Sequence, residues 1–181
     1  MKIKDYEESA DIPDNVNVKV EKGIVTVSSS GKDVSRDFSH KQVRISVKEN
    51  KVVVSFKKGT RREKMMARTF LAHIKNMFKG ATQGHVYKLK ICSGHFPMNV
   101  TLKGNDFSVT NFLGEKKPRI MKIKNGASVK IDGDHIIVEG TSKELTSQTA
   151  ASIEKLTKIK GRDLRIFQDG IYIIDKDGEP I

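Results

Sequence analysis

The sequence holds one cysteine, no tryptophan and four prolines among 181 residues, and only 6% of it is aromatic. With Cys92 alone, neither an intramolecular disulfide nor a four-thiolate zinc site can be built, and a reducing compartment fits. Cys92 and His95 have a metal-like spacing but lack two further ligands, so Cys92 is expected as a buried structural residue near a domain joint. No run of about 18 apolar residues could cross a membrane, and MKIKDYEESADIPD at the N-terminus has no apolar stretch of signal-peptide length. A soluble, non-exported protein without a membrane partner is expected. Scarce aromatics and the lack of an exposed Phe/Tyr run disfavour stacking readout of single-stranded bases. Walker, G-x-G-x-x-G and H-E-x-x-H sequences are absent, and His40, His73, His85, His95 and His135 are scattered. No catalytic residue, metal or cofactor is expected.

What the sequence does have is positive charge. It carries 34 Lys/Arg against 22 Asp/Glu, net +12, with 31% charged and 36% hydrophobic residues. The first 90 residues are net +10 and residues 91–181 net +2. In the second half, however, Lys116, Lys117, Arg119, Lys122, Lys124 and Lys130 face only Glu115 along one segment. Lys155, Lys158, Lys160, Arg162 and Arg165 face only Asp163 along another, and the remaining acids lie elsewhere. Local concentration of this kind predicts an oriented patch for a polyanion better than a coat for solubility.

One pattern is written twice. VNVKVEKGIVTV (16–27) and MNVTLKGNDFSV (98–109) superpose at an offset of 82 as hairpins turning at Lys22-Gly23 and Gly104-Asn105. A second hairpin follows in each copy, around Val43, Ile45, Val47 and Val52–Val54 in one, and around Ala127, Val129, Ile131 and Ile136–Val138 in the other. Asp132-Gly133 and Asp169-Gly170 are expected as turns, not as carboxylate sites. TRRE (60–63) and TSKE (141–144) read as capping boxes that open helices closed by Gly80 and Gly161. The helices carry apolar stripes: Met66, Phe70, Ile74, Met77 and Phe78 in the first; Leu145, Ile153, Leu156 and Ile159, padded by Ala150 and Ala151, in the second. Extended segments follow, HVYKLKIC (85–92) and LRIFQDGIYII (164–174). The expected fold is α+β: two tandem similar domains, 1–83 and 84–181, each a small antiparallel sheet with one helix on one face. The joint is expected at Ser93–Pro97.

Lys116, Lys117 and Arg119 are expected in the loop after VTNFL, with Lys122 beyond it. Lys158, Lys160 and Arg162 are expected at the second helix's C-terminus, with Arg165 opening the next strand. If both segments reach one end of the second domain, they suit several phosphates, arginines by forked contacts and lysines as point charges. Arg61, Arg62, Lys64 and Arg68 form a secondary basic surface. Duplication argues against an enzyme, since neither copy has a polar cluster that the other lacks. The expected function is binding of folded RNA, within a ribosome or as a free-standing regulator; an enzyme acting on a phosphorylated substrate is the rival of another class.

IPDNV (12–16), SRDFSH (35–40), HIKNMFKGATQGHVYKLKICSGHFPMNV (73–100), NFLGEKKPRIMKI (111–123) and RDLRIFQDGIYIIDK (162–176) resemble the archaeal form of the large-ribosomal-subunit protein number six family, over essentially the whole length. The resemblance implies a duplicated α+β fold and a structural, non-enzymatic place in the cytoplasmic ribosome. It further implies binding to large-subunit rRNA chiefly through the second domain, near the sarcin-ricin region and the factor-binding stalk base. Neighbouring ribosomal proteins and nearby translation factors are the implied partners, and Lys116, Lys117, Arg119, Arg162 and Arg165 the implied RNA contacts.

Overall fold

The computed structural model of the protein describes residues 3–29, 31–94 and 96–181. His95, and with it the Cys92–His95 spacing and the centre of the expected joint, lies outside them. The chain separates into two compact units between Gly84 and His85.

The first unit comprises β1 (Ile3–Asp11), β2 (Asn17–Glu21), β3 (Ile24–Ser29), β4 (Lys32–Asp37), β5 (Arg44–Lys48), β6 (Lys51–Gly59) and α1 (Arg61–Thr82). These form two antiparallel three-stranded sheets, ordered β1-β6-β5 and β2-β3-β4. Lys22 (φ 48°) and Gly23 (φ 89°) both take positive φ, as a two-residue turn matched to strand twist requires. The helix packs against β1 and β6 of one sheet and β3 and β4 of the other. It lays Ala67, Phe70, Leu71, Ile74, Met77, Phe78 and Ala81 over Val25, Val27, Val52 and Val54.

The second unit comprises β7 (His85–Cys92), β8 (Asn99–Lys103), β9 (Asp106–Thr110), β10 (Arg119–Lys122), β11 (Ala127–Asp132), β12 (His135–Gly140), α2 (Lys143–Leu156), β13 (Gly170–Lys176) and β14 (Glu179–Pro180). One antiparallel sheet is β8-β9-β10; the other is five-stranded, β11-β12-β7-β13-β14. Leu89, Phe107, Phe112, Ile136, Val138, Ile153 and Ile171 form its core. Two tandem α+β copies are therefore present, but each has two sheets where one was expected.

The offset of 82 extends to parts the sequence pattern did not reveal. β7 matches β1, so HVYKLKIC opens the second copy and does not close the first. The helix N-caps, Thr60 and Ser142, share the same offset, not 81. Thr60 forms the full box: its Oγ1 accepts from Arg62 N, and Glu63 Oε2 accepts from Thr60 N. Ser142 makes no such bond; Thr146 Oγ1 donates back to its carbonyl at 2.8 Å. Both helix stops also differ from expectation. Gly80 lies within α1, whose buried Ala81 holds the last turn in place; the chain leaves at Gly84 (φ 80°), with Gln83 and Gly84 N–H both on the Lys79 carbonyl. α2 stops at Leu156 because buried Thr157 accepts the Ile171 N–H at 2.9 Å and donates to the Glu154 carbonyl, tying the helix end to β13. On α2, Thr146 and Thr149 take the buried face beside Ala150 and Ile153, their hydroxyls satisfied by Ser142 and Leu145 carbonyls, while Ala151 is exposed.

Gly140 is where α2 meets β12. A Cβ there would lie 2.5 Å from Thr146 Oγ1 and 2.9 Å from the Gly126 carbonyl, and the bonded hydroxyl has nowhere to move. Gly140→Ala is expected to lower stability by about 1–3 kcal/mol, measured by urea denaturation.

Candidate nucleic-acid interface

Two stretches make the second copy longer than the first, and both carry the basic residues. One is the connection from β9 to β10. Asn111 (φ 59°), Leu113 (φ 49°) and Gly114 (φ 78°) turn the chain sharply. Buried Phe112 anchors the turn, and the Glu115 N–H donates to the Phe112 carbonyl at 2.9 Å. Glu115–Pro118 is thereby pushed into solvent, with Lys116 and Lys117 fully exposed.

Arg119 behaves differently from its neighbours. It is the first residue of β10, where the sequence pattern placed a loop. Its Nε donates to Glu115 Oε2 at 2.8 Å and its Nη2 to Oε1 at 2.5 Å. Nη1 donates to the carbonyls of Leu156 (2.7 Å) and Lys158 (3.4 Å), and the guanidinium lies 4.3 Å from the Phe112 ring centroid. Arg119 thus caps the negative end of α2 and fixes the Lys116–Lys117 loop against it. Most of its donors are committed inside the protein.

The other stretch is 157–168, between α2 and β13. Ile159 is buried, so Lys158 and Lys160 on either side both point outward. Arg162 lies over the Phe167 ring at 4.8 Å. Residues 163–167 form a turn, with Ile166 and Phe167 N–H groups on the Asp163 carbonyl, so Arg165 does not open a strand as expected. Its Nη2 sits 2.8 Å from Asp163 Oδ2. Asp169 is no turn residue either: it is buried and accepts the Gly94 N–H at 2.5 Å, immediately before β13.

The structure brings these two stretches together. Arg119 bridges them directly, and the Glu115 carboxyl is held below its ordinary pKa mainly by the Arg119 hydrogen bonds, with a further contribution from the Arg162 charge. Glu115 and Asp163 each serve an arginine of their own segment. Among the described residues no carboxylate pairs with Lys116, Lys117, Lys158, Lys160 or Arg162. Lys122 is exposed but stands opposite Asp106, three residues and about 10 Å along β10 from Arg119, away from the cluster. The second copy therefore does hold a polar cluster that the first lacks, contrary to the sequence-based expectation; the extra loops account for it.

The secondary surface is partly neutralised. Lys64 lies over the Tyr6 ring at 5.3 Å, and Arg68 donates to Tyr6 Oη at 3.1 Å and approaches Glu8 at 3.5 Å. Arg61 and Arg62 stay exposed in the first turn of α1, where the helix dipole disfavours cations. Among the described residues no three His, Cys, Asp or Glu side chains gather as metal ligands, and His85 is buried against Asp177 at 2.9 Å.

Pattern reading missed that Phe112 and Phe167 are platforms for guanidinium groups; the Glu115/Arg119 spacing of four was the one available signal of the clamp. Because Glu115 has a depressed folded pKa, its stabilising contribution is complete above the unfolded carboxyl value, about 4.3, and is lost as pH falls through the folded value. Acid titration followed by NMR is expected to show the 115–118 loop loosening only below that range, with no change between pH 6 and 8.

Comparison with known proteins agrees with this anatomy. The family model described as Ribosomal protein L6 matches residues 12–84 and again 96–170, one match per copy. "Large ribosomal subunit protein uL6" of Methanococcus vannielii is 47% identical over 172 residues, covering 95% of this chain and 94% of its own. Proteins of the same name from Methanosarcina mazei and Ignicoccus hospitalis are 42% and 44% identical, covering 96% and 92% of this chain and 99% and 92% of theirs. With two family matches falling on the two copies and identity of this level along nearly the whole length, the chain belongs to the ribosomal protein L6 family.

Proposed function

We propose that this chain is a structural protein of the large ribosomal subunit in the cytoplasm, and that it holds large-subunit rRNA through Lys116, Lys117, Lys158, Lys160 and Arg162. The observation that carries this reading is that five cations without carboxylate partners come from the two insertions peculiar to the second copy. Arg119 clamps those insertions together. Such a surface neutralises phosphates and fixes position; it performs no turnover, and the chain is a ribosomal protein rather than an enzyme. Lysines spaced around a fixed loop suit the backbone of a folded RNA, while the arginine on Phe167 is pre-oriented for a forked phosphate contact. The resemblance locates the bound RNA near the sarcin-ricin and factor-binding region, beside translation factors. Arg61 and Arg62, exposed where the dipole disfavours them, are the first unit's contribution to RNA or to a neighbouring ribosomal protein.

The test is ultraviolet crosslinking of the purified chain to deproteinised large-subunit RNA, with sequencing of the attached fragment and mass spectrometry of the attached peptides. Peptides covering 111–118 and 157–166, joined to one compact RNA region, are expected. Crosslinks scattered over many RNA regions, or confined to β8 and β9, would contradict the proposal.

A further inference from the structure

Three large apolar side chains stand in solvent within nine residues of each other: Leu164 and Ile166, each 63% exposed, and Tyr172, 40% exposed. In a chain this polar such a patch needs a reason. The turn that carries Leu164 and Ile166 separates two clefts that share Gln168 and Tyr172 as a common wall. The first, about 640 Å³, runs along the last turns of α2 with Leu164, Phe167 and Ile159 in its lining. The second, about 630 Å³, lies between Ile166 and the end of β7 at Cys92.

The geometry points to a docking site for an acidic segment of another protein that places one apolar side chain in each cleft. Charge selects the partner. Lys155 and Lys158 edge the first cleft, and among the described residues neither has a carboxylate partner. The acids nearby are all engaged: Glu154 Oε1 accepts the Ile173 N–H at 3.2 Å, Asp163 holds Arg165, and Asp169 holds Gly94. The rim is therefore cationic over an apolar floor, and carboxylates flanking apolar anchors complement it. A second copy would face the same lysines with its own. RNA fits less well, because aliphatic walls offer no stacking plane, and the Tyr172 hydroxyl is directed at the Gln168 and Asp169 carbonyls at 3.3 and 3.4 Å. This surface adjoins the proposed RNA cluster at Lys158 and is otherwise distinct from it.

The experiment places the photo-crosslinking amino acid benzoylphenylalanine at position 164, and separately at 166, in the full chain assembled into large subunits. The expected product is a crosslink to one other ribosomal protein, within a peptide of net negative charge, and its yield is expected to fall at least fivefold when Lys155→Glu is added. A crosslink to rRNA, to a second copy or to a net positive peptide overturns the proposal, as does the absence of any crosslink from both positions. Leu164→Ser separates this idea from the RNA assignment: affinity for an rRNA fragment should stay within twofold, and a tenfold loss in a folded variant would give the clefts to RNA and overturn the docking site while leaving RNA binding intact.

Discussion

Replacing Lys116, Lys117, Lys160 and Arg162 together by alanine is expected to lower affinity for a large-subunit rRNA fragment by roughly three orders of magnitude at 0.1 M salt. The same change should flatten the salt dependence by about 3.6, since each phosphate contact contributes about 0.9 to the slope on duplex RNA or DNA. Binding measured between 50 and 400 mM salt gives both quantities. Lys158 is left in place because it also edges the apolar cleft. Stability should change by less than about 0.5 kcal/mol, because all four side chains are exposed and none has a carboxylate partner among the described residues. An affinity loss accompanied by unfolding, or a salt slope that does not change, would mean that these cations are not what the RNA meets.

Arg119→Ala should do the reverse. The substitution removes two contacts to Glu115, the cap on the carbonyls of Leu156 and Lys158, and the cover on Phe112. Hydrogen bonds to charged groups contribute about 1.5–3 kcal/mol, and partial exposure of the guanidinium reduces the gain from the Glu115 pair. A loss of about 2 kcal/mol from the second unit is expected, lowering its melting temperature by roughly 8–16 °C for a body of this size. Arg119→Lys should recover less than half, since one ammonium cannot fork onto a carboxylate and reach the α2 carbonyls together. Should Arg119→Ala melt like the parent and bind RNA as poorly as the lysine variants, Arg119 would be an RNA ligand and not a clamp.

The contrast between these two predictions shows where a linear pattern is informative. Charge density along 116–124 and 155–165 is legible because solvated cations leave no trace but their own presence. The role of Arg119 is not, because its partners at Leu156 and Lys158 are more than 35 residues away and are backbone atoms, identical in every residue type. The duplicated hairpins were legible from period-two alternation, and the α1 box from Thr60 and Glu63. β1 was not, because IKDYEESAD pairs its acids with lysines across the sheet, Glu7 with Lys48 and Asp11 with Lys51, so polarity masks the strand. Leu164 and Ile166 suggested a strand because apolar residues alternate there; they alternate in a turn that faces solvent instead. Asp169-Gly170 suggested a turn by composition, yet burial and the Gly94 N–H make the carboxylate part of the frame.

Lysine reactivity along the chain, measured by mass spectrometry with and without large-subunit rRNA, tests the central assignment residue by residue. The account predicts that Lys116, Lys117, Lys158 and Lys160 become protected together, while Lys48, Lys51 and Lys122 keep the rates of the free protein. Protection spread evenly over both units, or confined to the lysines of the first, would contradict it.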